Sequence, residues 1–404
     1  MKYIIVLGDG MADEPMALLG GKTALQAANT PHIDRLAQMG CSGMLDTIPP
    51  GMHPGSEIAN LAVLGYNVPE VFEGRGVLEA ASIGVILEPG DLALRCNLIC
   101  TKEGRIKNHS AGHISSEEAR QLITYLNEQL GSDSVKFYPG VSYRHLLVIK
   151  GGNKQLACAP PHDHMGEMYH NLMVKPLEEQ SASTAALLNR LIESSQELLG
   201  GHPVNQERIA AGLDPANSIW PWSPGYKPQM PTLHELWGIQ KSAVISAVDL
   251  IQGIGVLAGM EVIKVEGATG LYNTNYEGKA KATLDALHKS DLVYLHIEAS
   301  DEAGHEGDAL LKVKTIEYLD QRVVRTLLEV TSGWKEPVTI ALLPDHPTPC
   351  ALKTHTRAPV PFIIYTPGME PDGVTEYNEF AAENGKFGLL KGPEFMQILL
   401  RAGK

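Results

Sequence analysis

Short apolar runs alternate along this chain with segments whose apolar residues recur three and four positions apart. Residues 3–7, 243–247, 292–296, 339–343 and 361–365 are apolar stretches too short for helices, and they predict strands. Residues 23–39, 278–288 and 312–331 carry the helical period. Strands and helices in alternation predict βαβ units, hence an α/β fold with a mainly parallel sheet flanked by helices. In such sheets the sites lie beyond the carboxyl ends of the strands. The polar residues that follow these runs are therefore the ones to inspect: Asp9, then Asp301 with His305, then Asp345 with His346.

The stretch from about residue 90 to 180 differs in texture. It holds strand-like pieces at 92–99 and 145–149, glycine-rich turns and few long helices. This predicts a smaller α+β domain at 86–184, inserted into a core formed by 1–85 and 185–404. A helix is expected at 187–199, and the proline- and tryptophan-rich stretch 217–225 is expected to mark the return to the main sheet. The chain shows no internal repeat and no low-complexity segment.

Composition narrows the class. The 404 residues are 44% apolar and 20% charged, enough to bury a sizeable core without staples. The formal charge of −14, from 33 basic and 47 acidic residues, argues against a nucleic-acid surface, which needs a basic stripe. It does not exclude an anionic substrate, because bound metal ions reverse the sign of a local field. No run approaches the roughly 18 apolar residues of a transmembrane helix, so no membrane partner is expected. The opening apolar run is too short for a signal peptide and meets Asp9 at once. The five cysteines lack metal-site pairing and are expected as reduced structural thiols in a cytoplasmic protein.

Taken singly, each polar cluster has an ordinary explanation. Gly8-Asp9-Gly10 reads as a turn, Asp301-Glu302-Ala303-Gly304-His305 as a solvated loop, and Ser56 as a helix N-cap. Jointly they point to chemistry, since several Asp and His residues fall just after separate strands. Asp301 and His305, four apart, share one face if that segment is helical. Pro344-Asp345-His346 is followed by His355 in Thr354-His355-Thr356. A mixed carboxylate and imidazole set suits Mn²⁺ or Zn²⁺ better than Ca²⁺ or Mg²⁺ alone. Ser56, in His53-Pro54-Gly55-Ser56-Glu57, leads into a helix-like segment at 58–64, where amides and the helix dipole favour anions. A metal ion there would make its hydroxyl an attacking alkoxide. Competing motifs fail. Ser56 has no Gly-x-Ser-x-Gly setting, and Gly21-Lys22-Thr23 lacks the first P-loop glycine, which falls at Met16. Gly253-Ile254-Gly255 lacks the third glycine of a dinucleotide fingerprint and reads as a helix-packing or turn feature.

In order along the chain stand Asp9, Thr30-Pro31-His32-Ile33-Asp34-Arg35-Leu36, Pro54-Gly55-Ser56, His202-Pro203-Val204-Asn205 and Gly267-Ala268-Thr269-Gly270. Asp301-Glu302-Ala303-Gly304-His305, Asp345-His346 and His355 follow. This set resembles the cofactor-independent phosphoglycerate mutases of the compact archaeal type, in the alkaline phosphatase superfamily, over nearly the whole chain. The resemblance implies an alkaline phosphatase-like core and two divalent metal ions, Mn²⁺ or Zn²⁺ foremost, with Mg²⁺ and Co²⁺ as further candidates. One ion would be held by Asp301, His305 and His355, the other by Asp9, Ser56, Asp345 and His346. Ser56 would carry the phosphoryl group as phosphoserine between two hydroxyls of glycerate. Lys279 would offset phosphate charge. The inserted domain would close over a small phosphorylated or hydroxylated metabolite and keep water from the phosphoserine.

The chain departs from the family pattern at 108–113. Archaeal-type mutases carry an Asp-Arg-Arg-Ala-Gly-Arg-like segment where this chain reads Asn108-His109-Ser110-Ala111-Gly112-His113. Arginine forks bind carboxylate and phosphate bidentately, and neutral side chains do not replace them. Arg75, Arg95, Arg144 and Arg208 remain. The expected substrate contacts are Asn108, His109, His113, Arg144, His162, Asp163 and Arg208. The variant segment, with Pro161-His162-Asp163 and the stretch at 217–222, also resembles a bacterial side branch regarded as a homoserine kinase analogue. There Asp163 would meet the ammonium of the substrate. Two activities are thus expected in competition: a phosphoglycerate mutase, and a phosphotransferase acting on a small amino-acid hydroxyl.

Overall fold

The apolar runs become strands of one mixed sheet. From edge to edge its order is Glu261–Val262, Ser242–Ile245, Leu292–Ile297, Lys2–Gly8, Val338–Leu343, Val360–Tyr365, Cys41–Asp46 and Leu389–Lys391. All neighbours pair in parallel except Val360–Tyr365, which is antiparallel to the strands on either side. The central strands Leu292–Ile297, Lys2–Gly8 and Val338–Leu343 are buried along nearly their whole length. Both their faces are covered, which is why they read as unbroken apolar runs and not as alternation. Ile4, Val6, Val293, Leu295, Ile340 and Leu342 share one core with Leu36, Leu284, Ile316 and Leu327 from helices Pro31–Met39, Tyr276–Leu287, Ala309–Tyr318 and Arg325–Thr331. Hydrogen bonds from Tyr294 to Asn60 and from Tyr3 to the Leu400 carbonyl tie helices Ser56–Val63 and Glu394–Ala402 to the sheet.

The structure is a computed structural model that describes residues 1–402. It divides into two units, Met1–Phe72 with Met230–Lys404, and Glu73–Gln229. None of the described helices is long and apolar enough to cross a membrane.

Two predicted helices are interrupted. The 23–39 segment forms Ala24–Ala27 and Pro31–Met39, because Pro31 lacks an amide hydrogen and displaces Thr30 from the helical region (φ −123°, ψ 59°). The 312–331 segment begins at Ala309 and passes through a π-helical turn, Leu319–Val324. In that turn Asp320 accepts the amides of His32 and Ile33 at 2.9 and 2.7 Å.

The second unit is wider than the predicted 86–184. Its antiparallel sheet runs Arg105–Asn108, Asp91–Lys102, Arg144–Lys150, Val135–Tyr138. The 217–225 stretch does not return to the main sheet: it forms the strand Ser218–Gly225, paired antiparallel with Asp91–Lys102. Its prolines disguise it in the sequence, and they are tolerated because the strand pairs on one side only. Helix Ala182–Gly200 places Leu188, Leu191, Ile192 and Leu199 in the same core, so it too belongs to this unit. Helix Arg75–Ser82 lies so close to Asp91–Lys102 that a Cβ on Gly76 would stand 2.8 Å from the Ala93 carbonyl oxygen.

Candidate active site

Three adjacent parallel strands end side by side, and an acidic residue follows each. Asp9 follows Lys2–Gly8, Asp301 follows Leu292–Ile297 by a helical turn, and Asp345 follows Val338–Leu343. Gly10, at φ +61°, lets the first loop pass so near the second that a Cβ would lie 2.5 Å from a carboxylate oxygen of Asp301. Asp301 and His305 occupy one face of helix Ala299–Glu306, with Nε2 of His305 3.2 Å from Asp301 Oδ2. His355 lies in the loop before the antiparallel strand, which begins beside the carboxyl end of Val338–Leu343. Its Nε2 is 2.9 Å from His305 Nε2 and 3.5 Å from Asp301 Oδ1. Nε2 of His346 is 3.4 Å from Asp345 Oδ2 and 3.6 Å from Asp9 Oδ1.

Two donor groups result, Asp301 with His346 and His355, and Asp9 with Asp345 and His346; the donor atoms within each lie within 4.8 Å of one another. His346 belongs to both, whereas the expected division assigned it to one side only. Its ring lies tilted against that of His355, centroids 3.9 Å apart, so the two groups adjoin. His305 adjoins the first group through Asp301 and His355.

The electrostatics are those of a cation site. Oδ1 of Asp9 is buried with no hydrogen-bond partner among the described residues. Burial, and then the carboxylates of Asp345, Asp301 and Glu298, push Asp9 well above the usual carboxylate range. Burial also opposes the charge on Asp301, but hydrogen bonds with His305 and His355 prevail and hold it well below that range. The same hydrogen bond with Asp301 raises His305 to about 9. Buried carboxylates and imidazoles converging around an orphaned oxygen form a donor set that divalent cations satisfy, so the residues present fit the two-metal expectation.

Ser56 opens helix Ser56–Val63, and its Oγ lies 3.1 Å from Nε2 of His346. One turn on, Asn60 donates from Nδ2 to the Ser56 carbonyl (2.8 Å) and to Asp345 Oδ2 (2.9 Å), while its Oδ1 accepts the Tyr294 hydroxyl (2.6 Å). His296 places Nε2 3.0 Å from Asp9 Oδ2 and Nδ1 3.2 Å from Ser246 Oγ. Burial drives His296 down to about 3, so the imidazole is neutral. Lys279 is buried too. Its Nζ donates to the His296 carbonyl at 3.1 Å, and burial lowers it to about 8. It therefore contacts the chain behind Asp9 and not the donor groups themselves. Asn60, Tyr294 and His296 escaped the sequence reading. The available signals were the four-residue spacing from Ser56 to Asn60 and a histidine inside an apolar strand.

Over 405 residues the chain is 48% identical to 2,3-bisphosphoglycerate-independent phosphoglycerate mutase from Methanosarcina mazei, and the alignment covers 100% of both chains. The chain belongs to the 2,3-bisphosphoglycerate-independent phosphoglycerate mutase family. The sequence model of that family matches residues 37–205. Among solved structures, a Pyrococcus horikoshii protein is 29% identical with a TM-score of 0.83, covering 100% of this chain and 97% of that one. Cofactor-independent phosphoglycerate mutase from Thermoplasma acidophilum is 26% identical with a TM-score of 0.68, covering 100% of both.

This member of the mutase family gathers a cationic and aromatic cluster in its second unit. His109 packs edge-on to Tyr143 and His162, with centroids 5.7 and 6.2 Å apart, and His162 to Trp222 at 5.4 Å. His113 meets Tyr143 at 6.2 Å. The guanidinium of Arg144 lies 4.9 Å over Tyr143, and those of Arg95 and Arg75 lie 5.2 and 5.8 Å over Trp222. His109, His113, Arg144 and His162 thus come together, with Asp163 exposed beside His162 at 3.6 Å. Two expected contacts stand apart. Asn108 shapes its own loop, with Oδ1 accepting the Ser110 amide (2.9 Å) and Nδ2 donating to Asp214 (3.3 Å). Arg208 is buried and held by both oxygens of Glu118 (3.0 and 2.9 Å) and by the carbonyls of Ala111 (2.7 Å) and Asp214 (2.9 Å). A buried guanidinium with four of its five N–H donors already bound staples the unit.

Proposed function

We propose that this chain interconverts 3-phosphoglycerate and 2-phosphoglycerate by phosphoryl transfer through a phosphoserine at Ser56. The observation that carries the reading is the Ser56 hydroxyl at 3.1 Å from His346, the imidazole common to both donor groups. Two divalent cations of the Mn²⁺ or Zn²⁺ kind, held by Asp301, His305 and His355 and by Asp9, Asp345, His346 and Ser56, would supply Lewis acidity and lower the hydroxyl pKa.

The remaining work falls to the chain. The first turn of Ser56–Val63 directs its amides and dipole at an anion carried on Ser56. Asn60 ties the Ser56 carbonyl to Asp345, which holds the nucleophile in register with a ligand. Neutral His296 orients Asp9 through Oδ2 and leaves Oδ1 for a cation. In the second unit, Arg75 and Arg144 with His109, His113 and His162 suit an anionic metabolite in place of the arginines missing at 108–113, while Arg95 is buried and paired with Glu79 at 3.4 Å. The homoserine kinase-like alternative leans on Asp163 as ammonium partner. That carboxylate lies 3.6 Å from His162 near these arginines, whose field repels a cation, and the mutase names of the relatives weigh the same way.

Phosphorus NMR of Mn²⁺-loaded protein given 3-phosphoglycerate is expected to show the 2-phosphoglycerate resonance. Ser56→Ala should abolish it while circular dichroism stays native. Turnover by the Ser56→Ala protein, or inert 3-phosphoglycerate beside phosphohomoserine made from homoserine and ATP, overturns the reading.

A further inference from the structure

We propose that Lys312 is a positioning residue for the metal ligands. Its buried ammonium ties the loop carrying Asp9 to the loop carrying Asp345 and His346 and, through Thr348, sets Asp301 and His346. The inference rests on the metal-ion reading given above.

The side chains of Lys312 and Asp13 are both 0% exposed. An ammonium has three N–H donors, and each finds an oxygen: Asp13 Oδ2 at 2.8 Å, the Ala12 carbonyl at 3.0 Å and the Thr348 carbonyl at 2.8 Å. Ala12 and Asp13 lie on the loop that starts at Asp9, and Thr348 lies two residues beyond His346. The loops are laced further by the Thr348 amide on the Ala12 carbonyl (3.2 Å) and the Cys350 amide on Asp13 Oδ2 (3.2 Å).

Thr348 then reaches the ligands with its side chain. Its hydroxyl donates to Asp301 Oδ1, and the same oxygen lies 3.3 Å from His346 Nδ1. With its hydrogen committed to Asp301, that oxygen can only accept from His346, which places the imidazole proton on Nδ1 and leaves the Nε2 lone pair toward the donor groups. The fit is close, since a Cβ on Gly304 would stand 2.5 Å from the Thr348 carbonyl oxygen. A buried ion pair is a poor device for stability alone, because an apolar pair of similar volume is often as stable. A lysine whose three donors meet both ligand-bearing loops is better accounted for by orientation.

The test uses the full chain stripped of metal, with calorimetric Mn²⁺ titration and thermal unfolding in chelator. Lys312→Met alone strands a buried carboxylate and should lower the unfolding temperature. Lys312→Met combined with Asp13→Leu removes both charges. It is expected to regain most of the native unfolding temperature yet bind Mn²⁺ about 10–100-fold more weakly. Native affinity in that recovered double variant would reduce the pair to packing and overturn the proposal. Thr348→Val, which keeps the carbonyl bound by Lys312 and removes only the hydroxyl link, should weaken Mn²⁺ binding by about 10-fold or more in a cooperatively folded protein. Unchanged affinity there refutes the relay even if the double variant fails to fold. A native chain that binds no Mn²⁺ would instead sink the metal reading on which the proposal stands.

Discussion

Asn60 shows how much of the site depends on one side-chain amide. Its Nδ2 spans the Ser56 carbonyl and Asp345, and that orientation holds because Tyr294 donates to Oδ1. Both residues are buried. Tyr294→Phe leaves the Asn60 oxygen without a donor and is expected to destabilise the fold by about 1–3 kcal/mol, read from the urea midpoint; an unmoved midpoint would mean the acceptor finds another partner. Residue type alone does not tell such roles apart. Arg144 and Arg208 look equivalent in the sequence, yet one lies over Tyr143 among histidines while the other is consumed by Glu118 and two carbonyls.

At the scale of elements, close approach decides where helices sit. Gly255, in helix Asp249–Leu257, faces strand Ser242–Ile245 so closely that a Cβ would stand 2.4 Å from Val244 Cγ1. The Gly253-Ile254-Gly255 motif is therefore a packing feature, as its missing third glycine suggested. Gly255→Ala raises helix propensity by at most about 1 kcal/mol but meets an overpacking cost of about 1–3 kcal/mol. The variant is expected to unfold at lower temperature, and adding Val244→Ala should restore it. A stabilised single variant would show that the helix moves away freely. The strand Ser218–Gly225 makes the complementary point: pattern reading discounts a strand with two prolines, and its edge position is what admits them.

At the scale of the whole molecule, a buried neutral histidine links stability to pH. His145 is 1% exposed; its Nδ1 accepts the Gly140 amide at 3.0 Å, and Nε2 has no hydrogen-bond partner among the described residues. Burial, reinforced by the charge on Arg95, lowers it to about 3. The unfolded chain takes up this proton below about pH 6.5 while the native protein does not, so stability falls as pH drops through that window, by about 1.4 kcal/mol per unit. At pH 5 the loss is about 2 kcal/mol relative to neutral pH. His145→Gln keeps an acceptor for Gly140 and removes the titration, so urea unfolding of the variant is expected to lose about 2 kcal/mol less than native between pH 7 and 5. Parallel losses would show that His145 titrates in the folded state.

Sequence by itself determined the α/β class, the central strands and most of the candidate site residues. Strands covered on both faces must be apolar throughout, and candidate donors placed just after them stand out as Asp and His against that background. The candidate nucleophile was legible for the same local reason, a serine opening a helix. The tertiary structure decided what depends on strand order, about which periodicity says nothing. Pairing Leu292–Ile297 and Val338–Leu343 on either side of Lys2–Gly8 brings Asp301 and Asp345 to Asp9 from the far end of the chain. It also makes His346 common to both donor groups and sets Thr348 and Lys312 behind them. The unit boundary, the burial of Arg208 and the place of Lys279 behind His296 were likewise settled by packing between segments distant in sequence.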